Sequence, residues 1–336
     1  MGIRRIKVFT IVILVIFVIA CSASYRSTTK ESPDFHIGFN GITIEFLKNT
    51  PPVRVFEGDK FPVMINVRNN GAYSIKGNNP AILSLGVEKD YTKELKLQSL
   101  GAGNIDTVTS DESASVFSLE GKSNINPKGE ERIISYALTA GKLDPQSERH
   151  TSTLIATSCY SYETVMSSTV CIDTDISNIR PIKKVCYLQD IVLNNGQGAP
   201  VAVTKVEVRM LPTETEKIMP QFLIYVENRG NGLVMEASPS TILDFCTGSI
   251  RHQDLNIVYV DASLSGKKLE CQLQKKTAID ELGHIKLKDK KDIIRCALEE
   301  GIDKNLDSYL SPLKVVLKYG YSYSISANYV IESGAK

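Results

Sequence analysis

Hydrophobic and polar residues alternate along much of this chain, which is the pattern of half-buried β-strands. Residues 63–67 (VMINV) place three apolar side chains on one face, and residues 222–226 (FLIYV) repeat the arrangement. An Asn-x-Gly sequence follows each segment and supplies turn residues. Only residues 299–313 are compatible with a helical turn. The pattern therefore predicts an all-β chain made of β-sandwiches.

Similar segments recur in the same order in the two halves of the chain, at a nearly constant offset. Residues 67–71 match 226–230, residues 130–141 match 290–301, and Tyr160-Ser161-Tyr162 matches Tyr321-Ser322-Tyr323. A period as long as half the chain indicates a repeated domain rather than a short solenoid repeat. The sequence thus predicts two tandem Ig-like domains related by internal duplication: residues 35–176 and 200–336, joined by a linker at 177–199.

The segment TPPVRVFEGDKFPVMINVRNNG resembles the start of CARDB-like and related Ig-like domains of prokaryotic surface proteins. It has Glu57-Gly58-Asp59 before the strand and an Asn-x-Gly turn after it. The tandem layout, with CYSY…VCID and GQGAPVAVTKVEV, is similar to that of uncharacterised archaeal envelope proteins. This resemblance implies surface display and interaction, and it supplies no catalytic residues.

The N-terminus has the features of an export signal. Basic residues precede an apolar run at 8–20, which ends in the lipobox-like sequence VIAC. We expect a signal peptide at 1–20, lipidation of Cys21 and a polar tether at 21–34, which would hold the protein on the extracytoplasmic side of the cell membrane. Simple secretion with cleavage near Ala23 and an uncleaved signal anchor are the alternatives.

Six further cysteines in an exported chain favour disulfides. If residues 159–172 form a hairpin, Cys159 and Cys171 lie on its two arms and can bond to each other. Cys271 and Cys296 fall on neighbouring predicted strands, which leaves Cys186 for Cys246. Sequence alone does not fix this connectivity. The six are Cys159, Cys171, Cys186, Cys246, Cys271 and Cys296.

Charge and motifs indicate a non-enzymatic protein. Lys and Arg number 39 against 38 Asp and Glu, without a basic stripe in the mature part, so nucleic acid is not an expected partner. The sequence has no nucleophile elbow, no His-Glu-x-x-His pair and no phosphate loop. We therefore expect no cofactor and a binding or scaffold role in the cell envelope, either in an assembly or as an adhesin, with envelope proteins or surface ligands as partners.

Two groups of residues are candidate sites. Asp173 and Asp175 supply alternating carboxylates where the first domain ends, as a calcium site needs, but the EF-hand glycine and glutamate are missing. Tyrosines near the predicted hairpin tips can anchor a partner, although packing over the sheet is the alternative role. They are Tyr160, Tyr162, Tyr321 and Tyr323.

Two other functions remain open. A solute-binding lipoprotein generally needs α/β lobes around a cleft, for which the sequence shows little helix. An envelope hydrolase would need two carboxylates, such as Glu45 with Glu207 or the acidic pair Asp111-Glu112.

Overall fold

The computed structural model describes residues 34–334 except 78, 101–105, 108–112, 182, 250 and 274–282. Residues 34–336 form one compact unit. It is built almost entirely of strands, with one α-helix, α1 (Pro239–Cys246), and one 3₁₀ turn (His252–Asp254) in the described part. The strands are β1 (Ile42–Phe46), β2 (Arg54–Phe56), β3 (Lys60–Asn69), β4 (Ala81–Gly86), β5 (Thr92–Leu100), β6 (Asp106–Thr107), β7 (Ala114–Phe117), β8 (Glu131–Ala140), β9 (Arg149–Ile172), β10 (Ile191–Val192), β11 (Val201–Pro212), β12 (Lys217–Asn228), β13 (Leu233–Met235), β14 (Ile257–Leu264), β15 (Lys267–Lys268), β16 (Glu270–Leu273), β17 (His284–Lys286), β18 (Lys291–Ala297), β19 (Ile302–Asp303) and β20 (Tyr309–Glu332).

The strands form three sheets. A four-stranded sheet has the order β1-β3-β8-β5, and a six-stranded sheet has the order β10-β11-β12-β18-β16 with β19 beside β12. The largest sheet has the order β15-β14-β20-β9-β4-β7-β6, and β2, β13 and β17 pair with its members. Pairing is antiparallel except between β2 and β20. The all-β prediction is confirmed, and three antiparallel sheets are consistent with β-sandwich packing.

Two strands of 24 residues each, β9 and β20, form the centre of the largest sheet. They run antiparallel over their full length, from Arg149 opposite Glu332 to Ile172 opposite Tyr309. The hairpins predicted at 159–172 and 320–331 are therefore wrong. Residues 160–171 contain no Gly, Pro, Asn or Asp to reverse the chain, and the alternation of more buried and more exposed residues continues from Tyr160 to Val170.

One hydrophobic cluster draws on all three sheets. Ile65 and Ile134 come from the four-stranded sheet, Ile224 from the six-stranded sheet, and Leu154 and Leu317 from the central pair; none of their surface is exposed. Since β9 and β20 face both smaller sheets, the two halves of the sequence share this core.

Helix α1 packs on β4 and β9 of the largest sheet. Ser238 caps its N-terminus by accepting a hydrogen bond from the Thr241 amide at 3.2 Å, and Pro239 follows at the first helical position. Its buried Ile242 packs in a small cluster with Ile82 of β4. The helical turn expected at 299–313 is wrong, since these residues hold β19 and the start of β20.

Candidate functional site

The candidate tyrosines lie in the middle of β9 and β20 rather than at hairpin tips. Tyr160, Tyr162 and Tyr321 are at most 3% exposed, and Tyr323 is partly buried. Tyr319 joins the first three in a group that we name the tyrosine tetrad: Tyr160, Tyr162, Tyr319 and Tyr321. Neighbouring rings of the tetrad lie 5.5–6.4 Å apart between centroids, in tilted or edge-to-face arrangements that favour aromatic packing.

Two kinds of hydrogen bond made by the tetrad hydroxyls recur in both halves of the chain. The Ile42 amide donates to Tyr160 Oη at 3.1 Å, and the Val201 amide donates to Tyr319 Oη at 3.3 Å. The two contacts have the same offset in sequence, because Val201 follows Ile42 by as many positions as Tyr319 follows Tyr160. Tyr319 was missed as a site residue because the sequence comparison aligned the Tyr-x-Tyr segments two positions off, so that Tyr160 was matched with Tyr321.

The second kind of bond joins a tyrosine to an asparagine turn. Tyr162 donates to Asn69 Oδ1 at 3.0 Å, and Tyr321 donates to Asn228 Oδ1 at 3.5 Å. Both asparagine oxygens also accept an amide at 3.1 Å, from the glycine two positions later. The Asn-x-Gly sequences therefore position buried side chains as well as turns, again with the same offset between the two contacts.

Burial keeps the tetrad neutral. Desolvation raises the pKa of Tyr321 to about 12 and holds the pKa values of Tyr160, Tyr162 and Tyr319 well above the usual 10. A neutral, hydrogen-bonded phenol that is closed to solvent serves packing, so the tetrad is a structural element that joins the three sheets.

A small groove opens beside the tetrad, and we name it the junction groove. Its volume is about 170 Å³, and its floor includes Tyr160, Tyr321 and Tyr323. It therefore brings together three of the four candidate tyrosines. The Arg229 guanidinium lies 5.1 Å from the ring of Phe39 in its wall. The other lining residues are Asn40, Gly41, Ile42, Thr43, Ile44, Pro200, Gly230 and Asn231.

A larger open groove of about 860 Å³ lies between β4 and β5. Lys93 and Lys96 give it a partly basic wall, and Thr92, Ser113 and Thr247 add hydroxyl groups. It is large enough for a small solute.

The carboxylates considered for calcium already have a cation. The Lys184 ammonium lies 2.6 Å from both Asp173 Oδ2 and the Asp175 carbonyl, and the side chains of Lys184 and Asp173 are at most 8% exposed. Asp175 accepts the amides of Ile179 and Arg180 through its two carboxylate oxygens. These internal donors occupy the oxygens that a calcium ion would need. Within the described ranges, no three His, Cys, Asp or Glu side chains come together as a metal site.

All six candidate cysteines are in disulfides, with partners that differ in part from the expectation. Cys271 bonds to Cys296 across neighbouring strands, as expected. The predicted Cys159–Cys171 and Cys186–Cys246 pairs are wrong. Both residues of the first pair lie on one continuous strand, so they cannot face each other as hairpin arms do. Instead Cys159 bonds to Cys246 at the end of α1, and Cys171 bonds to Cys186.

The carboxylates considered for hydrolysis lie in different sheets, and each accepts hydrogen bonds from other residues of the protein. Glu45 is in β1 of the four-stranded sheet and accepts a hydrogen bond from Asn66, whereas Glu207 is in β11 of the six-stranded sheet. Hydrogen bonds from Tyr225, and from Lys205 and Arg209, lower the pKa of Glu207 to about 2. A carboxylate this acidic stays ionised and does not suit a general acid.

Three expected site residues, Cys21, Asp111 and Glu112, lie outside the described residues. Among the helices that the structure does describe, none has the length and apolar character required to cross a bilayer.

No protein-family model matches this chain, and no curated protein matches it. Solved structures give distant similarities to bacterial surface proteins. The C-terminal domain of the Streptococcus agalactiae AgI/II polypeptide BspA is 10% identical over 87% of this chain and 99% of its own, with a TM-score of 0.21. The pilus backbone RrgB of Streptococcus pneumoniae is 11% identical over 85% of this chain and 50% of its own, with a TM-score of 0.23. For the Enterococcus faecalis MSCRAMM ACE, which binds its ligands by the collagen Hug model, the identity is 8% over 87% of this chain and 94% of its own, with a TM-score of 0.17. TM-scores this low establish no shared fold, and no functional argument rests on them.

Proposed function

We propose that this chain is an exported surface protein that acts by binding or scaffolding rather than by catalysis. The observation that carries the proposal is the central sheet, in which β9 of the first half pairs with β20 of the second half and both contribute to one core. Such a body holds distant surfaces in a fixed relation, which suits a scaffold or an adhesin. The Asp175 and Glu207 carboxylates are engaged by hydrogen bonds within the protein.

The proposal includes an internal duplication. The tyrosine and asparagine contacts of the first half recur in the second half at one constant offset, which supports two copies of one ancestral sandwich. In this proposal the domains at 35–176 and 200–336, with the linker 177–199, are joined by the pairing of β9 from the first domain with β20 from the second.

The proposal also places the protein on the extracytoplasmic side of a membrane, anchored by a lipid on Cys21. Three disulfides support an oxidising compartment, since such bonds are rare in a reducing cytosol. Mass spectrometry of the mature N-terminus tests the anchor: a diacylated Cys21 is expected, and an intact Met1 would contradict it.

Cross-linking on intact cells that express the native protein tests the binding role. We expect one or a few stoichiometric neighbours, recovered reproducibly by purification from the membrane and identified by mass spectrometry. The matched control is the same treatment with the cross-linker quenched beforehand. Recovery of only abundant membrane proteins, with no binding of the purified protein to whole cells or matrix, would contradict the proposal.

A solute-binding lipoprotein is the second candidate, because the groove between β4 and β5 has a suitable volume. A thermal-shift screen of small anionic and sugar ligands tests it. A hit that the double variant K93A/K96A abolishes would favour solute binding, and the absence of any hit would leave the scaffold role as the better account.

A further inference from the structure

Strand pairing is interrupted along one edge of β20. The strand pairs with β9 along its whole length on one edge, and on the other edge with β14 up to Lys318, with β13 at 320–322 and with β2 at 330–332. Between these last two, no strand in the described part of the chain pairs with residues 323–329. We name this stretch the β20 slot.

The backbone groups that face the slot follow from the alternation of an antiparallel ladder. The Val330 amide points away from β9, because it donates to the Val53 carbonyl at 2.9 Å. Residues two, four and six positions earlier share this direction, so Asn328, Ser326 and Ser324 present their N–H and C=O groups to the slot. All three residues are exposed. A row of unpaired donors and acceptors is a template for an added strand.

The slot has a definite length and charge. Seven residues in a strand span about 23 Å at ~3.3 Å per residue. β13 and β2 close the two ends. A second copy presents the same recessed edge, so two slots cannot meet edge to edge. The side chains of residues 323–329 (YSISANY) carry no charge, which matches an uncharged occupant.

The two faces of the slot differ. On the side towards the smaller sheets, Tyr323 lines the junction groove, whose 170 Å³ has room for one apolar side chain. On the outer side lie hydroxyl and amide groups, such as Ser324 bonded to Thr157 at 2.8 Å and Asn328 bonded to Thr153 at 2.9 Å. An extended segment with one apolar side chain inward and small polar side chains outward complements both faces.

We propose that the β20 slot binds an extended, uncharged peptide segment of a partner protein by strand addition, with an apolar side chain of that segment in the junction groove. This proposal rests on the binding role and names the chemistry of the partner. Backbone hydrogen bonds supply the affinity, and the groove selects the side chain.

Hydrogen exchange of the purified full chain in detergent tests whether the edge is open. The amides of Ser324, Ser326 and Asn328 are expected to exchange at least tenfold faster than those of Ile325 and Ala327, which face β9. Equal protection of both sets would mean that another part of this chain already covers the slot, and would overturn the proposal.

Peptide binding tests the occupant. The probe is a displayed library of uncharged heptapeptides, selected on the full chain and measured as free peptides. The variant S326P removes one slot-facing N–H and leaves the ladder to β9 intact, and S326A is its matched control. We expect S326P to weaken the selected peptides at least tenfold and S326A to bind like the wild type. Equal binding to S326P and S326A would overturn the proposal, as would a library that yields no binder.

N-methylation of the selected peptide gives a second test that does not depend on the fold of S326P. Methyl groups on alternate peptide amides should abolish binding at one parity and leave it at the other, because only one set of amides faces the slot. Loss at every position, or at none, would overturn strand addition. Dimers in sedimentation that S326P dissociates would identify a second copy as the occupant and would contradict a partner protein.

Cell cross-linking with S326A and S326P separates this proposal from the binding role itself. Neighbours that S326A retains and S326P loses support the slot. Neighbours that both variants retain would overturn the slot while the binding role stands. No neighbour with either variant or with the wild type would contradict the binding role.

Discussion

Tyr162 and Tyr321 occupy equivalent places in the two halves of the chain and donate equivalent hydrogen bonds, one to Asn69 and the other to Asn228. Each tyrosine comes from one of the paired central strands, and each asparagine ends a strand of a different outer sheet. The two contacts therefore fasten both smaller sheets to the same pair of strands.

Removing either hydroxyl is expected to destabilise the protein. Y162F deletes the bond to Asn69 and should lower the free energy of unfolding by about 1 kcal/mol. Y321F deletes the bond to Asn228 and also the acceptor of the Gly232 amide at 2.7 Å, so it should cost about 2 kcal/mol. Urea unfolding monitored by circular dichroism measures this. Y323F, at the partly buried Tyr323, is the control and should stay within about 0.5 kcal/mol of the wild type. A loss for only one tetrad variant would show that the two contacts are not equivalent.

The glycines of the two turns leave room for these hydroxyls. A Cβ at Gly71 would lie 2.0 Å from Tyr162 Oη, and a Cβ at Gly230 would lie 2.1 Å from Tyr321 Oη. G71A and G230A should each cost about 1–3 kcal/mol, because the tyrosine must move, and at Gly71 the Asn40 and Gly198 carbonyl oxygens at 2.5 Å must move as well. Thermal melting tests this against G77A, since a Cβ at Gly77 meets nothing within 4 Å. Melting temperatures unchanged from the wild type would contradict the close approach.

Disulfide mapping by mass spectrometry of a non-reduced digest should recover the Cys159–Cys246 and Cys171–Cys186 pairs. The chain-entropy model predicts a larger stabilisation from the first disulfide than from the second, because their sequence separations are 87 and 15. Replacing the first pair by alanine should cost roughly 4.5 kcal/mol, against about 3 kcal/mol for the second. A recovered Cys159–Cys171 peptide, or a larger loss for the shorter loop, would contradict this assignment.

Glu207 is expected to make the stability of the protein depend on pH. Its hydrogen bond from Tyr225, together with those from Lys205 and Arg209, lowers its pKa from 4.5 to about 2. A lowered pKa contributes stability that is fully present above the ordinary value of 4.5 and is lost as the pH falls towards 2. E207Q should make the melting temperature depend less on pH in this window. Y225F, which removes the largest cause, should move the loss to higher pH. Acid curves identical to the wild type in both variants would argue against this network.

The ion pair between Lys184 and Asp173 is almost fully buried. K184M alone leaves a buried carboxylate without its cation, and D173N alone leaves a buried ammonium, so each should cost about 3 kcal/mol or more. The double variant K184M/D173N should lose less than the sum. Chemical unfolding of the four proteins in this cycle measures the coupling, and additive losses would show that the two charges are independent.

Local patterns in the sequence predicted local structure well. The alternation at 63–67 and 222–226 lies within β3 and β12, and Cys271–Cys296 followed from two adjacent strands. Alternation specifies which face a residue takes, but it does not specify where a strand ends. Part of the long strand β9 was therefore predicted as a short hairpin. The disulfide predicted between Cys159 and Cys171 depended on that hairpin, so it was wrong as well.

Contacts between distant segments were harder to predict. The Tyr-x-Tyr segments offered two alignments, and the identical Tyr-Ser-Tyr letters favoured matching Tyr160 with Tyr321, whereas the structure matches it with Tyr319. The sequence did not predict the ion pair between Lys184 and Asp173, because a loop separates the two residues in the chain. The sequence does not predict the β20 slot, because the slot depends on where β13 and β2 end.

The pairing of β9 with β20 also governs the order in which the molecule can be assembled. Ile172 pairs with Tyr309 and Arg149 pairs with Glu332, so β9 lacks its partner strand until residues 309–332 have been synthesised. Contacts this distant along the chain form slowly. Until they form, Cys159 and Cys171 have neither their native surroundings nor a closed core around them. The synthesis of β20 thus decides when an emerging chain can complete its core.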